Sequence, residues 1–272
     1  MSATLPLALV QSGTPRFALR RVFASPVGRV SARVAILVAV LAAWQFLPGP
    51  SVRFWMSDPS RIAGMLAEWI ADGSLWEHLG ATLEVMSLGY VLGCGLGIAG
   101  GLGLGLMPRV RRVLSPYVGA AYALPKIALA PLFIIVFGIG IGSKVALVTA
   151  TVVFLVLNST LDGVSDIDRE LLQALVLMGA TRREIVRKVM IPAAVPWIFT
   201  GMRISVRYAF TNTLLAELIA ANSGIGFLIA SYSGQFDANG AYAAILVLVT
   251  LSVAMTEILT QAEKPLARWR SK

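Results

Sequence analysis

The chain has 272 residues, of which 57% are hydrophobic and 14% charged, too apolar and too sparsely charged for a soluble globular domain. One cysteine and one histidine exclude a disulfide framework and argue against a protein-built zinc site. The net charge of +9 is carried by basic clusters between apolar runs, the distribution of a positive-inside membrane protein and not of a nucleic-acid binder.

Residues 1 to 33 hold Arg16, Arg20, Arg21, Arg29 and Arg33 and no acid, ahead of the apolar run Val34 to Leu47. The layout is that of a signal peptide, but no clear small-residue cleavage site follows, so a retained first span is expected, with Arg33 snorkelling. Pro48 to His78 is mixed and acidic; Pro59 followed by Ile62, Leu66, Trp69 and Ile70 predicts an amphipathic helix lying at the outer surface. His78 pairs with no nucleophile in a recognised spacing and is expected to be a solvated surface residue.

The second span, about Ala81 to Met107, carries Gly89, Gly93, Gly97, Gly101 and Gly105, a spacing that forms a groove along one helix face for close packing of another helix. Pro108, Arg109, Arg111 and Arg112 mark an inner loop. The third span, about Leu114 to Ile139, is interrupted by Pro116, Pro125 and Pro131, so a bent helix beside a cavity is expected, where freed carbonyls find partners. Gly138, Gly140 and Gly142 make an outer turn, and Lys144 to Leu161 is the fourth span.

A polar hairpin follows. Gln173 to Pro192 reads QALVLMGATRREIVRKVMIP. Ser165 and Asp166 offer caps for a first short helix, Glu170 suits its first turn, and Gly179 is its left-handed stop. Thr181 and Glu184 have the capping-box spacing that opens a second helix, with Ile185, Val186 and Val189 on one side and Arg182, Arg183, Arg187 and Lys188 on the other. Pro192 is expected to close it. Ala193 to about Ile219 is the fifth span, Ala220 to Gly240 an outer stretch with a short helix at Ile225 to Tyr232, and Ala241 to Thr260 the sixth. The tail carries Lys264, Arg268, Arg270 and Lys272.

Sorting Lys and Arg by side leaves only Arg53, Arg61 and Lys144 in the outer segments, so both termini and the hairpin are expected in the cytoplasm. The predicted organisation is all-α: a tail over 1–30, a six-span domain over 31–262 with the hairpin at about 163–192, and a tail over 263–272.

No phosphate loop, HExxH, GxSxG or CxxC is present, so the chain carries no ATP-binding device of that kind, no metal site and no catalytic set. Energy must come from another chain. Polar groups within spans are the other informative class: Lys126, Asn158, Tyr208, Asn212 and Glu217 are the candidates for a solute pathway. Lys126 has a second reading as a snorkelling anchor, and Glu217 reads equally as an outer gate residue, a partner of a buried cation, or a surface group. Arg203 and Arg207 suit anchoring of the fifth span.

The hairpin resembles the cytoplasmic loop of importer-type ABC transporter permeases, whose pattern is Glu-Ala-Ala, three residues, Gly, nine residues, then Ile-x-Leu-Pro. Its first positions fall on Gln173, Ala174 and Leu175, its Gly on Gly179, and its end on Val189, Ile191 and Pro192. The chain departs from the pattern at Gln173, which lacks the family's charge, and at the bulkier Leu175. Residues 123–144 (ALPKIALAPLFIIVFGIGIGSK) and 216–229 (AELIAANSGIGFLI) resemble the nitrate, sulfonate and taurine branch. The resemblance implies a bacterial inner-membrane permease that pairs with a second copy, two ATPase subunits carrying ATP and magnesium, and an extracytoplasmic substrate-binding protein, and that moves a small, anionic solute by alternating access. It implies ATPase coupling through Gln173, Ala174, Leu175, Gly179, Ala180, Thr181, Arg182, Arg183 and Pro192, and an outer gate near Asn222, Gly224 and Gly226. No cofactor is expected on this chain. Anionic lipid is the alternative partner of the hairpin's basic face; a secondary transporter and a polytopic membrane enzyme are the alternative functions.

Overall fold

The computed structural model describes residues 26–49 and 55–267; the expectations for Arg16, Arg20, Arg21, Arg53, Arg268, Arg270 and Lys272 lie outside them. The chain divides into two units, residues 1–60 and 61–272. In the first, helix α1 (Pro26–Phe46) ends near a polar knot. Gln45 Nε2 donates to Ser60 Oγ at 3.2 Å and its Oε1 accepts from the Ser60 N–H at 3.1 Å, while Ser60 Oγ donates to Asp58 at 2.8 Å.

The second unit is built on α3 (Ser74–Leu106) and α6 (Ile141–Ser165). Helix α2 (Pro59–Ala71) leads into α3 through Asp72 and Gly73, the latter at φ 85°. Asp72 accepts from the Ser74 hydroxyl at 2.7 Å and the Ser74 N–H at 2.8 Å, and these hydrogen bonds hold its carboxyl below the usual range. Along the apolar stripe of α2, Ile62 and Trp69 are buried, Leu66 half-buried and Ile70 exposed.

All five stripe glycines of α3 are buried and face one ridge of α6. A Cβ on Gly89, Gly93, Gly97 or Gly101 would lie 2.5 to 2.8 Å from the Cβ of Val148, Val152, Val156 or Thr160 respectively, and one on Gly105 would lie 2.8 Å from Val164 Cγ1. Those distances leave no room for any side chain, so the helices meet backbone to ridge at a shared four-residue step. On an adjoining face α6 receives α9 (Ile191–Ile219), again through glycine: Gly163 abuts Trp197 and Gly201 abuts Ser159. Tyr90 ties α3 directly to α9 by donating to the Met202 carbonyl at 3.1 Å.

The proline-rich third span is broken rather than curved. Helix α4 (Pro108–Ala123) stops at Leu124, which is extended, as the residue before a proline prefers. A tight turn over Lys126–Leu129 then enters α5 (Ala130–Phe137), and the two halves meet at 87°. Ala130, with Ile127 and Phe133 around it, packs on Leu147 and Ala216.

Helix α7 (Arg169–Leu177) and the short α8 (Arg182–Ile185) form the polar hairpin. Pro192 does not close the second helix. A π turn over Val186–Met190 joins α8 to α9, with the Ile191 N–H reaching back to the Val186 carbonyl. The wider turn absorbs the proline, which then occupies the first turn of α9, where its missing N–H costs nothing. Helices α10 (Ile225–Gly234) and α11 (Ala238–Ala267) complete the chain.

Among the described residues four runs are long and apolar enough to cross a membrane, namely α3, α6, Arg182–Ile219 and Ala238–Ile258, with a fifth if α4 and α5 count as one. The sequence predicts six. The other two expected spans fall on the bent pair α4–α5 and on α1, whose apolar stretch Val30–Phe46 is shorter than the ~20 residues a span wants.

Candidate functional site

Helix α7 is capped by Asp168, whose carboxylate accepts from the Glu170 N–H at 2.8 Å. Ser165 and Asp166, expected as caps, lie before it; Ser165 Oγ instead accepts from Arg111 Nη1 at 2.6 Å. The helix ends on Gly179 at φ 84°. Its N–H reaches the Val176 carbonyl at 3.0 Å and the Ala180 N–H reaches Leu175 at 3.0 Å, the paired bonds of a Schellman stop. The capping box of α8 is complete: Glu184 N–H donates to Thr181 Oγ1 at 3.3 Å, and Thr181 N–H donates to Glu184 Oε2 at 3.1 Å. Glu184 also pairs with Lys188 at 3.1 Å. These contacts, the Thr181 backbone first, hold the Glu184 carboxyl down at about 2.

Two short helices stiffened at each end thus present a fixed tip. At that tip Leu177 is 88% and Met178 83% exposed, and Leu172, Gln173, Val176 and Leu177 line a shallow groove. Apolar side chains so exposed at the tip of a polar loop fit a docking surface, whether for a protein or for lipid. Ala174 and Thr181 are exposed as well, with Leu175 and Ala180 half-buried. Leu177 and Met178 were not among the residues singled out from the sequence; the signal was their place immediately before the glycine stop. Arg182 and Arg183 are exposed, but Arg182 Nη2 donates to the Leu106 carbonyl at 3.0 Å, fastening the hairpin to the C-terminus of α3 where a cation is favoured.

The polar residues of the spans do not form one constellation. Lys126 donates to the Tyr122 carbonyl at the end of α4, and its ammonium lies 4.9 Å from the Tyr122 ring and 5.6 Å from the Phe154 ring. It therefore caps the broken span. Asn158 donates to the Phe154 carbonyl at 2.8 Å, one turn from that contact. Asn212 and Tyr208 form a second group on α9, joined by an Asn212 Nδ2 to Tyr208 carbonyl bond of 2.8 Å, with Tyr208 50% exposed.

Glu217 stands apart, at the opposite end of the helices from the hairpin. It is 1% exposed, which rules out the surface reading. Its Oε2 accepts from the Gly226 N–H at 2.9 Å and from Thr82 Oγ1 at 3.1 Å. Thr82 Oγ1 accepts in turn from the Ile225 N–H at 2.9 Å, and His78 Nδ1 from the Gly224 N–H at 3.1 Å. His78 is thus half-buried, its ring 5.8 Å from that of Phe227, and not the solvated group the sequence suggests. Asn222, the third residue of the expected gate, is exposed. Buried Lys144 on α6, with Ala216 and Ala220, lines a cavity of about 10 Å³, room for about one water.

Among the described residues no three His, Cys, Asp or Glu gather as metal ligands. Comparison with known proteins places this architecture. The chain is 33% identical to the formylaminopyrimidine transport permease protein ThiX of Halalkalibacterium halodurans, across 75% of this chain and 81% of that one. It is 33% identical to the taurine transport system permease protein TauC of Escherichia coli, across 74% and 73%. The membrane subunit of the MetNI methionine ABC transporter, in an inward-facing conformation, shares the fold with a TM-score of 0.60 at 20% identity, covering 75% of this chain and 97% of that one. Residues 89–265 match the family of binding-protein-dependent transport system inner membrane components, and the chain belongs to that family, as a permease subunit of an ABC importer and not an enzyme.

Proposed function

We propose that two copies of this chain form the passage of an importer for a small sulfonate-type anion, with the α7–α8 hairpin of each copy seated in a cleft of a separate ATPase subunit. The single observation that carries the coupling role is the exposed apolar tip, Leu177 and Met178, held rigid between the Asp168 cap and the Gly179 stop. In this arrangement the hairpin and both termini are cytoplasmic, ATP and magnesium reside on the ATPases, and a binding protein delivers solute to the opposite face. Nucleotide-driven closure of the ATPases displaces the hairpin, and alternating access follows. Gln173, Ala174, Leu175, Ala180, Thr181 and Arg183 lie around the contact, whereas Arg182 and Pro192 act from behind it, joining the hairpin to α3 and α9.

The solute class rests on the taurine relative. An equally similar relative is named for formylaminopyrimidine transport, which favours a small heterocycle as the second reading. Uptake of radiolabelled taurine and of a formylaminopyrimidine by vesicles holding the complete transporter and its binding protein separates the two. The coupling role is tested by Leu177→Asp, which alters a side chain that is 88% exposed; loss of ATPase assembly with the membrane subunit still folded is expected. Retained assembly and transport would remove the hairpin from the coupling path.

A further inference from the structure

Helix α10 has an unusual beginning. Its N-cap is Gly224, which has no side chain to offer, and the orphan N–H groups of a helix start need acceptors. They find them on two other helices. Gly224, Ile225 and Gly226 N–H groups go to His78 and Thr82 of α3 and Glu217 of α9, in order along the turn. The carboxylate sits where the helix dipole favours a negative charge.

The glycines belong to the same device. A Cβ on Gly224 would lie 2.3 Å from Glu217 Cδ, and one on Gly226 would lie 2.7 Å from Glu217 Cβ and from the Leu214 carbonyl. Only a bare backbone lets the carboxylate reach the helix start. The other end of α10 is held as well, since the Tyr232 ring lies 5.4 Å from that of Trp69 and so close to Gly240 that a Cβ there would fall 2.2 Å from it.

We infer that Glu217, Thr82 and His78 are positioning residues that latch α10 to α3 and α9 throughout transport, so that α10 does not lift away as a flap over the outer mouth. This rests on the permease reading for its inside and outside. The latch itself does not.

The test is amide hydrogen exchange over residues 218–230, measured on the chain in lipid nanodiscs and on the assembled transporter with and without trapped nucleotide. Thr82→Val keeps the shape but strands the buried Ile225 N–H, so exchange over Ile225 and Gly226 is expected to quicken about tenfold, and Thr82→Ser to restore it. Wild type is expected to stay equally protected in both nucleotide states. Unchanged exchange in a folded Thr82→Val chain, or protection lost in one nucleotide state, overturns the proposal. Failure of the chain to assemble with an ATPase would instead count against the permease reading, and the nanodisc measurement would still judge the latch.

Discussion

Arg182 and Leu106 are 76 residues apart in sequence, yet the guanidinium of one donates to the carbonyl of the other at 3.0 Å. The contact joins the hairpin to the end of α3, whose opposite end carries His78 and Thr82 of the latch. A single helix, packed along its length on α6, therefore links the hairpin with the end of the molecule that holds the latch.

Arg182→Gln should leave the fold intact, because the side chain is exposed and a hydrogen bond of this kind contributes about 1 to 3 kcal/mol. The expected effect is on coupling: ATPase binding near normal, with stimulation of hydrolysis by loaded binding protein reduced several-fold. Parallel measurement of ATPase affinity and stimulated hydrolysis checks it, and an equal fall in both would show that Arg182 serves assembly instead.

The glycine groove makes a paired prediction within one helix. Gly97→Ala would bring a Cβ to 2.8 Å from Val156 Cβ and 2.9 Å from the Val153 carbonyl, an overpacking that costs about 1 to 3 kcal/mol. Gly95→Ala meets nothing within 4 Å and should be neutral or slightly stabilising, since alanine suits a helix better. Thermal stability in detergent distinguishes the two substitutions; equal effects would mean that α3 and α6 are not in contact as described.

At the hairpin, Gly179 at φ 84° has space around it but a conformation that other residues resist. Gly179→Ala should destabilise the turn by about 1 to 2 kcal/mol, with Gly179→Asn milder, as asparagine tolerates the left-handed region. Faster limited proteolysis of the hairpin, in the order Ala, Asn, Gly, is the expected result.

The capping box also gives a pH dependence. Glu184 has its carboxyl lowered to about 2 by the Thr181 and Lys188 contacts, so its contribution to the hairpin is full above the unfolded value near 4.5 and is lost as pH falls toward 2. Amide protection at Thr181 and Glu184 should therefore be flat from pH 8 to about 5.5 and decline below about 4.5. In Glu184→Gln the decline should be absent.

Much of this structure was legible in the sequence, but unevenly. The glycine stripe and the Thr181–Glu184 box were readable because each depends on spacing along one helix. The stop at Gly179 was readable for the same reason. The cap of α7 was misplaced because Ser165, Asp166 and Asp168 all carry capping side chains, and only the course of the chain selects Asp168. Pro192 was misread as an end because nothing in the local pattern announces a π turn. The latch was invisible: Glu217 meets Thr82 from 135 residues away, and His78 meets Gly224 from 146. Such partners are chosen by how α3 and α9 pack, and no local periodicity records that choice.

The most direct test of the central claim is ATPase activity of the reconstituted transporter with its binding protein, comparing wild type with Leu177→Asp. The expected result is loss of binding-protein-stimulated hydrolysis and of ATPase binding while the membrane subunit keeps its thermal stability. Full stimulation in the variant, with solute uptake unchanged, would contradict a coupling role for the hairpin.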